Sequence, residues 1–253
     1  MAQSEIGQIK ILDDFLGGTE AAVAGTTAPP IARPPYFYIV GQGIADTDSG
    51  MTHLDSDGIS GVAQFLTTDE DVHCAGLQTP TMFDVGLQGT IVMEVRVRHA
   101  AITAALGETF IGFSDVNTDL AIIEGAICHG DTITVTLTAS DLVGFLLAGD
   151  LTDSADWHMV YNGGSTTGET TSTSIDATAE PTATEMQVLR VEVDNNGTAR
   201  WYVDGVLKQT KIGAVSTTAV FGGCAGVVST ATGTVSSVTL DYLAVEANRD
   251  WTV

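Results

Sequence analysis

The sequence predicts an all-β protein, and three observations carry that prediction. Short runs with apolar residues at alternate positions recur along the chain, the period of a strand with one buried face. Gly, Asp, Asn and Ser separate the runs and supply turns. No segment holds a 3.6-residue apolar period for more than about two turns. At 253 residues with 44% apolar content, the chain is long enough to bury a core without a metal or disulfide staple.

Near the N-terminus, Ile9 to Leu12 is a candidate edge strand that would pair with the C-terminal strand. Four of the six prolines fall in residues 18 to 43, within TTAPPIARPPYFY. Proline cannot donate to a sheet ladder, so this segment reads as an extended arm or a crossing loop. The division predicted is an N-terminal strand and arm over residues 1–40, then one sandwich domain over 41–253.

Strands are predicted at Ile91 to Arg98, Thr109 to Phe113, Thr132 to Leu137, Leu189 to Asp194, Ala199 to Val203 and Val238 to Val245. In the first of these Ile91, Met93, Val95 and Val97 share one face while Glu94, Arg96 and Arg98 share the other. Residues 163 to 185, rich in Ser, Thr and Gly, read as a long surface loop. Asp204-Gly205 between WYV and VLK is a type I′ hairpin signal. Counting outward pairs Val203 with Val206, Tyr202 with Leu207 and Trp201 with Lys208. Asn195, Asn196 and Gly197 supply a second tight turn, joining LRVEVD to ARWYV. No repeat of fixed period is present, which argues against a propeller or solenoid.

This strand, turn, aromatic strand and Val-Asp-Gly arrangement resembles the concanavalin A-like, or laminin G-like, jelly-roll sandwich. DDFLGG at 13 to 18, FIGFSD at 110 to 115, VGFLLAGD at 143 to 150, DWHMVYNGG at 156 to 164 and VTLDYLAVEANR at 238 to 249 extend the resemblance over most of the chain. Together they also resemble jelly-roll virion structural proteins of tailed bacteriophages. The resemblance implies an antiparallel jelly-roll β-sandwich. Endo-glucanases of this fold carry Glu-x-Asp-x-x-Glu on one strand. Glu192 and Asp194 match its first two positions, but the third is Gly197. A retaining mechanism then lacks an acid and base opposite its nucleophile, and Glu192 is expected on a solvated face.

Composition narrows the partners. Asp and Glu number 32 against 9 Lys and Arg, a formal net charge of -23. Phosphate backbones need clustered cations, so nucleic acid is excluded as a partner, and an anionic membrane surface on the same ground. No basic segment leads into an apolar run at the N-terminus, and Gly107 and Glu108 break the apolar stretch at 100 to 113. Neither a secretory signal nor a membrane span is expected. Cys74, Cys128 and Cys224 lack Cys-x-x-Cys spacing and read as buried reduced thiols from a cytosolic folding environment.

Each remaining motif has a structural alternative. Asp46, Asp48, Asp55 and Asp57 lie close together in a loop that fails the EF-hand pattern, leaving calcium as a minor expectation against a solvated acidic loop. His73 with Cys74 and Cys128 with His129 could supply zinc ligands, but neighbours on a strand point to opposite faces. His53, His99 and His158 have no recognisable partner in sequence. Trp157, Trp201 and Trp251 could stack on sugars and are more readily core or interface anchors. No nucleophile elbow, phosphate loop or His-Glu-x-x-His helix is present, and Asn196-Gly197-Thr198 is turn chemistry.

The sequence therefore puts first a non-enzymatic phage structural protein, folded in the host cytoplasm and decorating a capsid. No obligate cofactor is expected. Partners would be the major capsid protein or further copies of itself, as a homo-oligomer on the particle. Pro29, Pro30, Pro34, Pro35, Tyr36, Phe37 and Tyr38 would bind that partner by strand addition. The alternative is a glycan-binding module, with its site at the 45 to 58 acidic loop or the tryptophans.

Overall fold

The computed structural model describes residues 7–16, 21–22, 31–33, 37–42, 50–53, 61–68, 73–102, 107–116, 126–230 and 235–249. Among these residues, strands form two antiparallel sheets and a separate hairpin, with one short helix, α1 (Ser172–Ile175). In the nine-stranded sheet the path runs β17 (Val206–Lys211), β16 (Ala199–Val203), β15 (Gln187–Val193), β9 (Ile91–Arg98), β19 (Ser237–Asn248), β6 (Ala63–Leu66), β5 (Gly50–His53) and β2 (Ala21–Ala22). Off this path, β1 (Gln8–Asp13) pairs with β19. The eight-stranded sheet runs β14 (His158–Asn162), β13 (Leu142–Ala148), β10 (Glu108–Ser114), β18 (Val220–Val228), β7 (Cys74–Gln78), β4 (Phe37–Gln42) and β3 (Ile31–Arg33), with β8 (Phe83–Asp84) paired to β18.

The N-terminal edge strand is present, with Ile9 opposite Ala247 and Leu12 opposite Ala244. β19 is twelve residues long, enough to pair β6 over Ser237 to Leu240 and β1 over Leu243 to Asn248. The first and last described strands thus pair within the same sheet. Of the Pro-rich segment, β3 and β4 pair with each other, and β4 pairs with β7.

Period-two alternation decides which side chains enter the core. Met93, Val95, Val191, Trp201, Leu243 and Val245 point inward from the nine-stranded sheet and meet Ile111, Phe113, Phe145, Met159, Tyr161 and Phe221 from the other. Trp201 crosses the gap: its indole N–H donates to the Gly144 carbonyl at 2.8 Å. On β13 that glycine faces Gly112, and a Cβ there would stand 2.5 Å from the Ile111 carbonyl oxygen and 3.0 Å from the Gly112 Cα. The two strands approach too closely for a larger residue.

The Asp204-Gly205 turn has φ of 50° and 77° at its two central residues, the type I′ geometry. Val203 faces Val206 and Tyr202 faces Leu207, as counted, but Trp201 faces Gln209. A β-bulge between Trp201 and Tyr202 leaves Lys208 as the additional residue. The strand expected at Thr132 to Leu137 starts later. Thr132 has φ of 56° and Ile133 is exposed, because they turn the hairpin joining β11 (Cys128–Asp131) to β12 (Thr134–Leu137). The loop at 163 to 185 carries α1, which its composition does not signal.

Candidate functional site

Of the two outer sheet faces, one is closed by the chain itself. Alternation turns Phe110, Leu142, Leu146, Val160, Cys224 and Val228 outward from the eight-stranded sheet, where they are buried with Ile127, Cys128, Val135, Leu151 and Ile175 as a second core. Hairpin β11–β12, Leu151 and α1 form this cover. Glu108 lies beneath it with no exposed surface, its Oε1 accepting the Gly130 N–H at 2.6 Å and standing 3.1 Å from His129 Nδ1. Burial pushes the Glu108 carboxyl up, against the His129 and Gly130 contacts that lower it.

Among the described residues the outer face of the nine-stranded sheet is polar and partly exposed. Tyr242 donates to Glu94 Oε1 at 2.7 Å, and Arg190 Nη1 donates to Glu94 Oε2 at 3.2 Å. Arg190 Nε also donates to Glu192 Oε1 at 2.8 Å, and the Tyr202 hydroxyl donates to Glu192 Oε2 at 3.3 Å. Arg200 holds Asp194 at 2.6 Å, whose second oxygen accepts from Thr90. On the far side Arg96 holds Asp241 at 2.6 Å. Register builds this lattice: Arg190 lies opposite both Glu94 on β9 and Tyr202 on β16, and Glu192 lies opposite Arg200. Cross-strand neighbours on one face stand about 5 Å apart, within reach of such side chains.

The charges settle one another. Burial weighs against the Arg190 guanidinium, but hydrogen bonds to Glu192 and Glu94 outweigh it and raise its pKa. The Arg200 hydrogen bond lowers Asp194, and burial followed by the Glu94 hydrogen bond raises the Tyr242 phenol. Lys10, Arg96, Arg98, Arg190 and Arg200, five of the chain's nine basic residues, share this face with Glu94, Glu192, Asp194, Asp241 and Glu246. In a chain of net charge -23 this face is neutral. Glu192 is on the outer face, as its alternation requires, but is not freely solvated: its side chain is 18% exposed.

The residues singled out from sequence are placed as follows. Asp46, Asp48, Asp55, Asp57, Pro29, Pro30, Pro34, Pro35, Tyr36 and Trp251 lie outside the described residues. Phe37 is buried in the main core and Tyr38 is 37% exposed on β4. Trp157 and Trp201 are fully buried, so neither can stack on a sugar. All three cysteines are free and buried, and burial raises the Cys128 and Cys224 thiols. His73 shares a hydrogen bond with Thr68, and among the described residues the His and Cys pairs form no metal cluster. Tyr202, Tyr242 and Arg190 were missed as a group because Tyr242 is some fifty residues from Arg190 in sequence and joins it only through β9.

By sequence, no protein family and no curated protein matches this chain. Solved structures do match in fold. Peanut lectin with a bound 9-residue peptide superposes with a TM-score of 0.57 at 11% identity, covering 95% of this chain and 97% of the lectin. A protein of unknown function from Shewanella oneidensis MR-1 gives 0.56 at 12% identity, covering 100% and 92%. A Bacillus licheniformis β-glucanase gives 0.51 at 13% identity, covering 95% and 98%. The chain has the concanavalin A-like jelly-roll β-sandwich fold, which lectins and glucanases share.

Proposed function

We propose that this protein is a glycan-binding module without catalytic activity, and that the outer face of the nine-stranded sheet is its ligand surface. The observation that carries the reading is the lattice of Tyr242, Glu94, Arg190, Glu192, Tyr202 and Arg200 on the outer face of the nine-stranded sheet. Sugars are held by aromatic rings and by planar groups presenting paired donors and acceptors to hydroxyls, and this face offers both at strand spacing. Glu94 and Glu192 each accept from the same guanidinium and from a phenol, which makes them orienting acceptors and not a paired acid and nucleophile. The ligand class is a neutral polysaccharide, because a chain of net charge -23 repels polyanions. The fold shared with peanut lectin agrees with this reading.

Capsid decoration, which the sequence put first, rested on a resemblance to phage virion jelly rolls, on the absence of catalytic motifs and on the Pro-rich arm. Of the residues named for that arm, Phe37 is in the core, Tyr38 is 37% exposed, and Pro29, Pro30, Pro34, Pro35 and Tyr36 lie outside the described residues; glycan binding takes precedence because the fold is shared with a lectin. The test is titration calorimetry of the full chain with neutral hexose polymers and with uronate polymers, alongside an assay for released reducing ends. Saturable binding of a neutral polymer is expected, with no turnover. Arg190→Gln and Tyr202→Ala should each weaken it at least tenfold, about 1.4 kcal/mol, with little change in Tm. Affinity unmoved by both substitutions, or no binding at millimolar saccharide, would overturn the proposal.

A further inference from the structure

Hairpin β11–β12 belongs to neither large sheet. A two-stranded hairpin alone is marginally stable in water, so its place over the eight-stranded sheet depends on what ties it down. Beyond its own ladder, Thr132 donates to the Asp150 carbonyl at 3.0 Å and accepts from the Thr152 N–H at 2.6 Å. Val135 donates to the Thr170 carbonyl at 2.7 Å, and Ser172 donates to the Ile133 carbonyl at 3.0 Å. None of those partners stands in a strand of the sheet. Glu108, at the start of β10, gives the hairpin a direct polar tie to the sheet, accepting the Gly130 N–H at 2.6 Å and standing 3.1 Å from His129 Nδ1. Gly130 permits that approach: a Cβ there would lie 2.8 Å from Ala148 Cβ and 3.3 Å from Glu108 Oε1.

The carboxyl at the centre of this tie is buried with little to balance a charge. Glu108 lies opposite Ala148 and Val228, has no exposed surface, and its Oε2 has no hydrogen-bond partner. The titratable groups that face it are His129 and Cys128 from the hairpin and Asp150 from the turn after β13, with Cys224 of β18 acting on Cys128. Burial raises both thiols and keeps them neutral, and Asp150 opposes ionisation of Glu108. Among the described residues no Lys or Arg pairs with Glu108. An ionised carboxylate here has one imidazole and one N–H to offset its burial, whereas the neutral acid carries no such cost.

We propose that Glu108 and His129 form a proton-dependent latch: with Glu108 protonated, hairpin β11–β12 is clamped over the outer face of the eight-stranded sheet, and with Glu108 ionised the hairpin lifts more often and uncovers Phe110, Leu146 and Val160. The sign follows from the two environments. Burial pushes the Glu108 carboxyl up in the closed state, outweighing the His129 and Gly130 contacts, whereas a hydrated carboxyl under a lifted hairpin titrates at its ordinary 4.5. Below that value the group is protonated in both states and adds no pH dependence. As pH rises from there toward the raised value, the open state releases its proton first, and closure weakens by up to about tenfold per pH unit. The cover is therefore tightest in acid. This latch lies on the sheet opposite the proposed glycan surface and does not depend on that reading.

Hydrogen–deuterium exchange on the full chain, corrected for the intrinsic pH dependence of amide exchange, tests the latch from about pH 4.5 to pH 8. Amides of residues 127–138 should exchange through openings of lower free energy than those of β9 and β15. Their protection should fall as pH rises, by no more than about tenfold per unit. Glu108→Gln cannot ionise and should leave hairpin protection flat over the same range, with far-UV circular dichroism unchanged. His129→Ala keeps the carboxyl but removes its imidazole, and should lower hairpin protection severalfold at neutral pH. Exchange of the hairpin together with β9 at every pH would overturn the proposal, because the cover would then open only with the whole fold. So would wild-type hairpin protection that does not change with pH, a fall that survives in Glu108→Gln, or protection in His129→Ala equal to wild type.

Discussion

Acid should destabilise this protein through His99, and the size of the effect follows from where that ring lies. His99 is 1% exposed, its Nε2 within 3.0 Å of Thr109 Oγ1, its Nδ1 unpartnered and its ring 5.6 Å from that of Trp157. Burial without a counter-charge lowers its pKa from 6.5 to about 4. Above pH 6.5 the ring is neutral whether the chain is folded or not, so it adds no pH dependence. Between 6.5 and 4 the unfolded chain takes up a proton that the folded chain refuses, and stability falls as pH falls. At about 1.36 kcal/mol for each pH unit, the loss reaches about 3 kcal/mol at pH 4. Glu108, raised by burial, works in the opposite sense, because it is the unfolded chain that ionises first as pH rises. Urea unfolding of the wild type and His99→Gln at pH 7, 6, 5 and 4 separates these terms, since Glu108 and His158 are common to both proteins. The stability advantage of wild type over variant should shrink by about 3 kcal/mol from pH 7 to pH 4. A difference constant to within about 1 kcal/mol would refute the reasoning.

Three further substitutions test how the sandwich is joined. Trp201→Phe removes the indole donor to the Gly144 carbonyl along with packing volume at the centre of the core, and should cost about 2 to 3 kcal/mol in urea unfolding. Gly205→Ala adds a methyl group with nothing within 4 Å but keeps φ near 77°, so about 1 kcal/mol should be lost. Gly144→Ala drives a methyl into backbone of the neighbouring strand and should cost about 3 kcal/mol or more. Equal Tm losses for the two glycine variants would contradict this account.

Much of the nine-stranded sheet could be read before any coordinates. In IVMEVRVR one face is apolar and the other charged, and water on one side of a sheet enforces that split on the sequence itself. The Asp-Gly and Asn-Gly turns were equally readable, because positive φ limits which residues can stand there. The bulge at Lys208 was not, since an additional residue in a ladder leaves alternation intact on either side of it. Strands β13 and β18 read as nearly unbroken apolar runs, the pattern of strands buried on both faces, but the run does not say which segment covers the outer one.

The sequence by itself determined the fold class, the main turns, the core face of each clear strand and the lack of a glucanase carboxylate pattern, because these depend on local sterics and period-two burial. Tertiary structure alone decided which outer face the β11–β12 hairpin and α1 cover. It also buried Trp157 and Trp201, joined Arg190 to Glu94 and Tyr242, and brought His129 beside Glu108. Each of those outcomes depends on which strands become neighbours across long stretches of chain, and pairing of that kind leaves no trace in the spacing of the residues it joins.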